Sequence, residues 1–189
     1  MLCIMKIRMI YRALLALAFP ALMTACDPNI GGEYYTMQGF TQGTTYSITY
    51  QHKSLVDLQG EVDSILRVFD SSLSSYDSTS IISAVNKNEP EVRTDSLFRT
   101  VFRESSRVYQ ISGGAFDITL APLINAWGFG PGERQEVDSA MVDSLLRYVG
   151  MDKIRLVGDR VHKSNPHVRL NVNAIAQGYS VDVLAAYLE

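Results

Sequence analysis

Apolar positions recur along the chain at three- and four-residue steps in several long stretches and alternate in shorter ones. Leu55, Leu58, Val62, Ile65, Leu66 and Phe69 keep the helical step, which places them on one face of a predicted helix. The stretch TDSLFRTVFRESSRVYQISGG predicts a second amphipathic helix, with Thr94 or Asp95 as its cap and Gly113 as its stop. A third helix is predicted from Asp138 to Val149, ending at Gly150. NAIAQGYSVDVLAAYLE predicts a last helix, capped by Asn173, with Ile175, Val183, Leu184 and Leu188 along part of one face.

Between these helices the period changes to two. After Gly43, Tyr46, Ile48 and Tyr50 share one face of a predicted strand. KIRLVGDRVHKSNPHVRLNV reads as strand, Gly-Asp turn, strand and a further extended piece. DSSLSSYDSTSIISAVN is rich in Ser and Asp and predicts a loop entering a short helix. The mixture defines an α+β chain. One stretch fits neither period. SGGAFDITLAPLINAWGFG, residues 112–130, holds the only tryptophan, is too broken by Gly and Pro for a helix, and is too apolar for an idle loop.

Composition narrows the class. The chain has 189 residues, enough for one domain or part of a larger one. Hydrophobic content of 47% and charged content of 20% are those of a soluble globular chain. A net charge of −3 without a basic run argues against nucleic acid as a partner, which needs clustered Lys and Arg. The first 26 residues stand apart. Lys6, Arg8 and Arg12 precede an apolar ALLALAFPALMTA, which is too short to span a bilayer and has the length of a secretory signal. LMTAC resembles the lipobox of bacterial lipoproteins, with Met23 where Leu is usual, so Cys26 is expected to carry the lipid; the alternative is an ordinary signal with an incidental cysteine. The expected organisation is a signal over 1–25, a tether over 26–35 and a domain over 36–189. Cys3 and Cys26 are the only cysteines, so the mature domain has no thiol for catalysis or a disulfide.

Three segments carry candidate chemistry. Gly113 and Gly114 permit positive φ, and Asp117 between Phe116 and Ile118 would be costly to bury without hydrogen bonds. That segment is either a ligand-facing carboxylate in an apolar groove or a glycine cap followed by a strand with one exposed acid. Asn171, Asn173 and Gln177 surround a helix start, whose free N–H groups suit a phosphate or are simply capped. Tyr76 either stacks on a flat ring or packs. His52, His162 and His167 have no metal spacing and read as surface residues. No nucleophile triad, CxxC pair, Walker loop or GxGxxG is present.

Taken in order and spacing, GTTYSITY, SSYDSTSIISAVN, SGGAFDITLAPLINAWGFG and NVNAIAQGYSVDVLAAYL resemble the ApbE family of FAD:protein FMN transferases, over residues 36–189. The resemblance implies a T-fold-like arrangement, with helices packed on a largely antiparallel sheet and the later part of such a protein absent. It implies Mg²⁺-dependent transfer of FMN from FAD to a Thr or Ser of another protein, with release of AMP. The implied acceptor is a flavin-bearing subunit of a membrane electron-transport complex. The implied location is the bacterial envelope, periplasm-facing and lipid-anchored. By the same resemblance the FAD contacts are Gln42, Tyr76, Ala115, Phe116, Asp117, Asn171 and Gln177, and Ala174 gives its carbonyl oxygen to the metal. No catalytic residue of this chain is implied.

The sequence departs from the family pattern at three of these positions. Gln42 replaces a frequent Met, Asn171 a usual Asp, and Gln177 a frequent Lys or Glu. The main metal carboxylate, a nearby Ser or Thr and a second glycine-rich strand belong to the family's later half, so this length of chain alone is expected to be inactive. Two other activities fit the same residues: an FAD-sequestering lipoprotein, or an FAD pyrophosphatase in which water replaces the acceptor hydroxyl.

Overall fold

The computed structural model describes residues 32–189. The expected signal segment and Cys26 lie outside the described residues. Two strands come first, β1 (Glu33–Thr41) and β2 (Thr44–His52), joined as a hairpin. The turn between them is Gln42-Gly43, both at positive φ, 51° and 78°. Such a two-residue turn matches the right-handed twist of the flanking strands. β1 therefore begins inside the segment expected to be a tether.

The described residues divide into two compact units. The first comprises 32–37 and 47–57. Within it the Thr36 and Thr49 hydroxyls meet at 3.0 Å, the Tyr35 and Tyr50 rings tilt together at 5.8 Å, and the Tyr50 hydroxyl donates to Val56 O. Burial raises the Tyr35 hydroxyl above its ordinary pKa, helped by Glu33.

The second unit comprises 38–46 and 58–189. Its helices are α1 (Gln59–Leu73), α2 (Ile81–Lys87), α3 (Ser96–Ile111), α4 (Ala121–Ala126), α5 (Ser139–Leu146) and α6 (Asn173–Leu188). A 3₁₀ turn, Met151–Lys153, leads into β3 (Ile154–Val157) and β4 (Arg160–Lys163), an antiparallel pair with Arg155 opposite His162. The α+β expectation holds, with the strands in two small hairpins and the helices forming most of the unit.

The core gathers the predicted stripes. Val62, Leu66 and Phe69 of α1 are buried, as are Phe98, Val101 and Phe102 of α3. Phe69, Phe98, Val101 and Phe102 pack with Ile82, Val168 and Leu170, and α1 is in contact with α2, α3 and α6. Leu55 is exposed, because α1 starts at Gln59 and not at the first residue of the stripe. Asp95 caps α3 by accepting from Phe98 N at 2.8 Å. Thr94, the other candidate, donates its N–H and hydroxyl to Asp159 O and so ties the β3–β4 turn to the start of α3. Asp138 caps α5 in the same way, accepting from Met141 N at 2.7 Å.

Two local expectations are corrected. Residues 112–130 do contain a helix. Pro122 stands in the first turn of α4, where its missing N–H has no helical partner to lose and its fixed φ is already helical. Asn173 does not cap α6 but is its first residue. The Asn171 Oδ1 atom, two residues earlier, accepts the Asn173 N–H at 3.0 Å.

Candidate functional site: two cavities sharing Tyr76

Tyr76 sits in the Ser- and Asp-rich loop between α1 and α2. That loop is held by bonds between its own side chains and backbone. Ser80 Oγ donates to Ser74 O at 2.7 Å and accepts from Ser83 N, which caps α2. Ser83 Oγ donates to Asp77 O at 2.6 Å. Asp77 Oδ1 accepts from both the amide and the hydroxyl of Thr79, and these bonds hold its carboxyl below the usual carboxylate range. On this frame the Tyr76 ring is 61% exposed, and its hydroxyl donates to Phe129 O at 3.2 Å. An aromatic ring held in place yet open to solvent is free to stack on another ring.

A cavity of about 440 Å³ opens on one side of it. Thr41, Gln42 and Gly43 of the hairpin turn line it, with Phe69 and Asp70 of α1, Tyr76 and Asp77, and Asn173, Ala176 and Gln177 of α6. A second cavity, about 410 Å³, also takes Tyr76 as lining, with Ser75, Asn86, Lys87, Ala121, Asn125, Arg169 and Asn171. Both volumes fall in the range of small-molecule sites, about 300–1,000 Å³. The two differ in charge. The first holds two carboxylates, Asp70 and Asp77, and the second two cations, Lys87 and Arg169. Burial raises the Asp70 carboxyl above its ordinary value, against the hydrogen bonds it accepts from Thr41 and the Gln42 amide, while the Asp77 charge raises it further.

The segment 168–171 connects the two chemistry-bearing stretches. Asn171 N donates to Ile118 O at 2.8 Å, and Leu120 pairs with Arg169 in a parallel bridge. The residues following the Gly-Gly turn thus run beside the approach to α6. Arg169 is fixed in turn by donating to Asn86 O.

Five of the residues singled out from sequence meet at these cavities: Gln42, Asn173 and Gln177 at the first, Asn171 at the second, and Tyr76 at both. Ala115, Phe116 and Asp117 line neither. Ala115 is exposed, Phe116 packs against the core, and Asp117 Oδ1 accepts from the amide and hydroxyl of Thr119 at 2.7 and 2.6 Å. Thr119 is fully buried, and its Oγ1 also accepts from Gly150 N at 2.6 Å. Gly113 and Gly114 adopt positive φ, 62° and 87°, as expected for a glycine stop. His52, His162 and His167 are exposed. Ala174 is exposed in the first turn of α6. Among the described residues no three His, Cys, Asp or Glu side chains cluster as metal ligands. One carbonyl is not a Mg²⁺ site, which needs near-octahedral oxygen ligation, so the residues present do not by themselves fit that ion.

Sequence reading missed Asp70, Asn86, Lys87, Asn125 and Arg169. Asp70 is half-buried beside the apolar stripe of its helix, a position where a carboxylate is unusual, and that was the available signal. The others are ordinary polar residues, and Asn86 and Arg169 meet only across 83 positions of chain.

Helices and small hairpins make an α+β fold that carries two cavities of unlike charge, both lined by Tyr76. Residues 42–189 match the family model described as ApbE family, and the chain belongs to that family. It is 34% identical over 186 residues to the FAD:protein FMN transferase of Vibrio cholerae, covering 93% of this chain and 54% of that protein. To the FAD:protein FMN transferase of Haemophilus influenzae it is 29% identical, again covering 93% and 54%. Among solved structures, the flavin transferase ApbE from Vibrio cholerae superposes with a TM-score of 0.77 at 33% identity, covering 82% of this chain and 53% of that one. The apo form of the Pseudomonas stutzeri flavinyl transferase ApbE gives 0.75 at 30% identity, covering 84% and 53%. The chain spans about half the length of the relatives it matches.

Proposed function

We propose that this chain is the FAD-binding part of an FAD:protein FMN transferase. The observation that carries the reading is the pair of cavities sharing Tyr76, both fed by the approach to α6. FAD has two flat ring systems joined by a diphosphate. Tyr76 offers a stacking face, and the first cavity, acidic and backed by Phe69, suits an uncharged ring with N–H donors. The positive end of the α6 dipole and the cations Lys87 and Arg169 favour the diphosphate. Gln42, Asn171 and Gln177 supply neutral hydrogen-bonding groups around it. Ala115, Phe116 and Asp117 enter this reading through the family resemblance, and Asp117 through the turn it organises beside 169–171.

In the reaction a Thr or Ser hydroxyl oxygen of the acceptor bonds to the flavin-side phosphorus. The bond from that phosphorus to the oxygen bridging to AMP breaks. AMP leaves with the bridging oxygen, and the hydroxyl proton passes to solvent. The nucleophile comes with the acceptor, which is consistent with a mature domain lacking cysteine. Mg²⁺ dependence and the acceptor in a membrane electron-transport complex rest on the resemblance alone, and the lipid anchor at Cys26 rests on the signal-like segment and its LMTAC ending.

The test is to incubate the full-length protein with FAD, Mg²⁺ and an acceptor protein carrying a target Thr. A band on a denaturing gel that fluoresces under ultraviolet light is the expected result. AMP release without a band would mean hydrolysis of FAD instead, and bound FAD with neither would mean sequestration.

A further inference from the structure

We propose that Asp70 is a positioning residue that fixes the β1–β2 turn as a wall of the first cavity, and thereby sets that cavity's affinity for a dinucleotide. The turn does not hold itself. Gln42 is a non-glycine residue in the left-handed region, at φ 51°, a conformation that costs about 1–2 kcal/mol for an L-residue. Gly43 beside it is exposed, and a side-chain atom added there would meet nothing within 4 Å. Packing therefore leaves the outer side of the turn free.

What meets the turn from inside is the Asp70 carboxylate. Thr41 Oγ1 donates to Asp70 Oδ2 at 3.3 Å, and the Gln42 amide donates to the same carboxylate. Asp70 itself is rigid. It stands in the last turns of α1 between Phe69 and Leu73, both buried, and its carbonyl accepts from Ser74 N. The carboxylate has no cation on this cavity. The groups lining it with Asp70 are Asp77 and Tyr76 from the α1–α2 loop, uncharged residues of the hairpin turn, and Asn173, Ala176 and Gln177 from α6. A carboxylate half-buried beside a second one is costly unless it accepts hydrogen bonds. Here those bonds come from the turn.

The effect on affinity rests on the dinucleotide reading above; the effect on the turn does not. The experiment therefore measures both in the full chain with Asp70→Ala, Asp70→Asn and Thr41→Val. Amide exchange at Gln42 and Gly43 is followed without ligand, with amides of α1 as the control for folding, and FAD affinity is taken from flavin fluorescence. Asp70→Ala removes both hydrogen bonds and should speed exchange at the turn and weaken FAD binding by about tenfold or more each, since one bond to a charged acceptor is already worth about tenfold. Thr41→Val should do the same to a smaller degree. Asp70→Asn should restore both to within about threefold, since its oxygen still accepts from Gln42 and its amide can donate to Thr41 Oγ1. Unchanged turn exchange in Asp70→Ala overturns the proposal. Faster exchange with unchanged FAD affinity overturns the link to binding. Failure of the unaltered protein to bind FAD refutes the dinucleotide reading, and the exchange data then decide the latch alone.

Discussion

Asn86 grips Leu170 at both of its backbone polar atoms: Nδ2 donates to Leu170 O at 2.9 Å, and Oδ1 accepts from Leu170 N at 2.7 Å. A side-chain amide thereby stands in for a second neighbouring strand, residues 118–120 already pairing with Arg169 and Asn171. Leu170 is only 1% exposed, so neither atom has water as an alternative. The same segment carries Arg169 and Asn171 to the second cavity. Asn86→Ala is expected to lower stability by about 2–4 kcal/mol, because it strands a buried donor and a buried acceptor together. A urea midpoint within experimental error of the unaltered protein would show that the clamp carries no such weight.

Tyr76 is the residue on which the two-cavity reading turns. Removing its ring with Tyr76→Ala should weaken FAD binding by about 1–3 kcal/mol, the usual worth of an aromatic platform under a base. Tyr76→Phe keeps the ring and loses only the hydroxyl bond to Phe129 O, so most of the affinity should remain. Fluorescence titration separates the cases. Equal affinity in all three proteins would remove Tyr76 from the binding surface.

Which parts of this were legible in the sequence follows from the range of the interactions involved. The α1 stripe, the Asp95 and Asp138 caps and the Gly158 turn, at φ 62°, are local, and the residues announce them within a few positions. Pro122 was misread because glycines at 113, 114, 128 and 130 flank it, and they hide the six residues between as a place for one helical turn and a half. The start of α6 has no side-chain cap: Val172 stands at the N-cap position, and the bond from Asn173 N to Asn171 Oδ1 depends on a backbone path that two neighbouring amide side chains do not reveal. Tyr76, Gln42, Asn171 and Gln177 were named from motif order, and the structure brings them to adjoining cavities. Asn86 and Leu170 are 84 positions apart, and no local pattern announces such a pair.

Asp117 offers a test of turn against ligand contact. Its Oδ1 takes both Thr119 donors, and Thr119 passes the connection to Gly150. Asp117→Ala should cost about 1.5–3 kcal/mol of stability, as hydrogen bonds to a charged group do. Asp117→Asn retains the accepting oxygen and should recover most of that loss. If FAD affinity also survives in Asp117→Asn, the residue acts through the turn. A large loss of affinity with stability intact would mean that its charge touches the ligand.

The last prediction concerns Lys163, at the end of β4. Burial, with the nearby charge of Arg169, lowers its ammonium pKa from 10.5 to about 8. Its Nζ donates to Val168 O at 3.0 Å, inside the fold and away from any carboxylate in hydrogen-bond range. Below pH 8 the amine is charged in both folded and unfolded chains, and the folded state bears the full cost of keeping that charge half-buried. Between about 8 and 10.5 the folded chain has released the proton while the unfolded chain still holds it. The unfolded state then binds more protons, so this residue makes stability rise with pH across that window. Above 10.5 both forms are neutral and the contribution is level. Other lysines and the tyrosines titrate in the same range, so the informative quantity is the difference between the protein and its Lys163→Met variant. The denaturant midpoint of the unaltered protein, measured relative to that of the variant, should rise between pH 7.5 and pH 10. A difference that stays constant between the two pH values, or moves in the opposite direction, would mean that the amine is no more hindered in ionising when folded than when free.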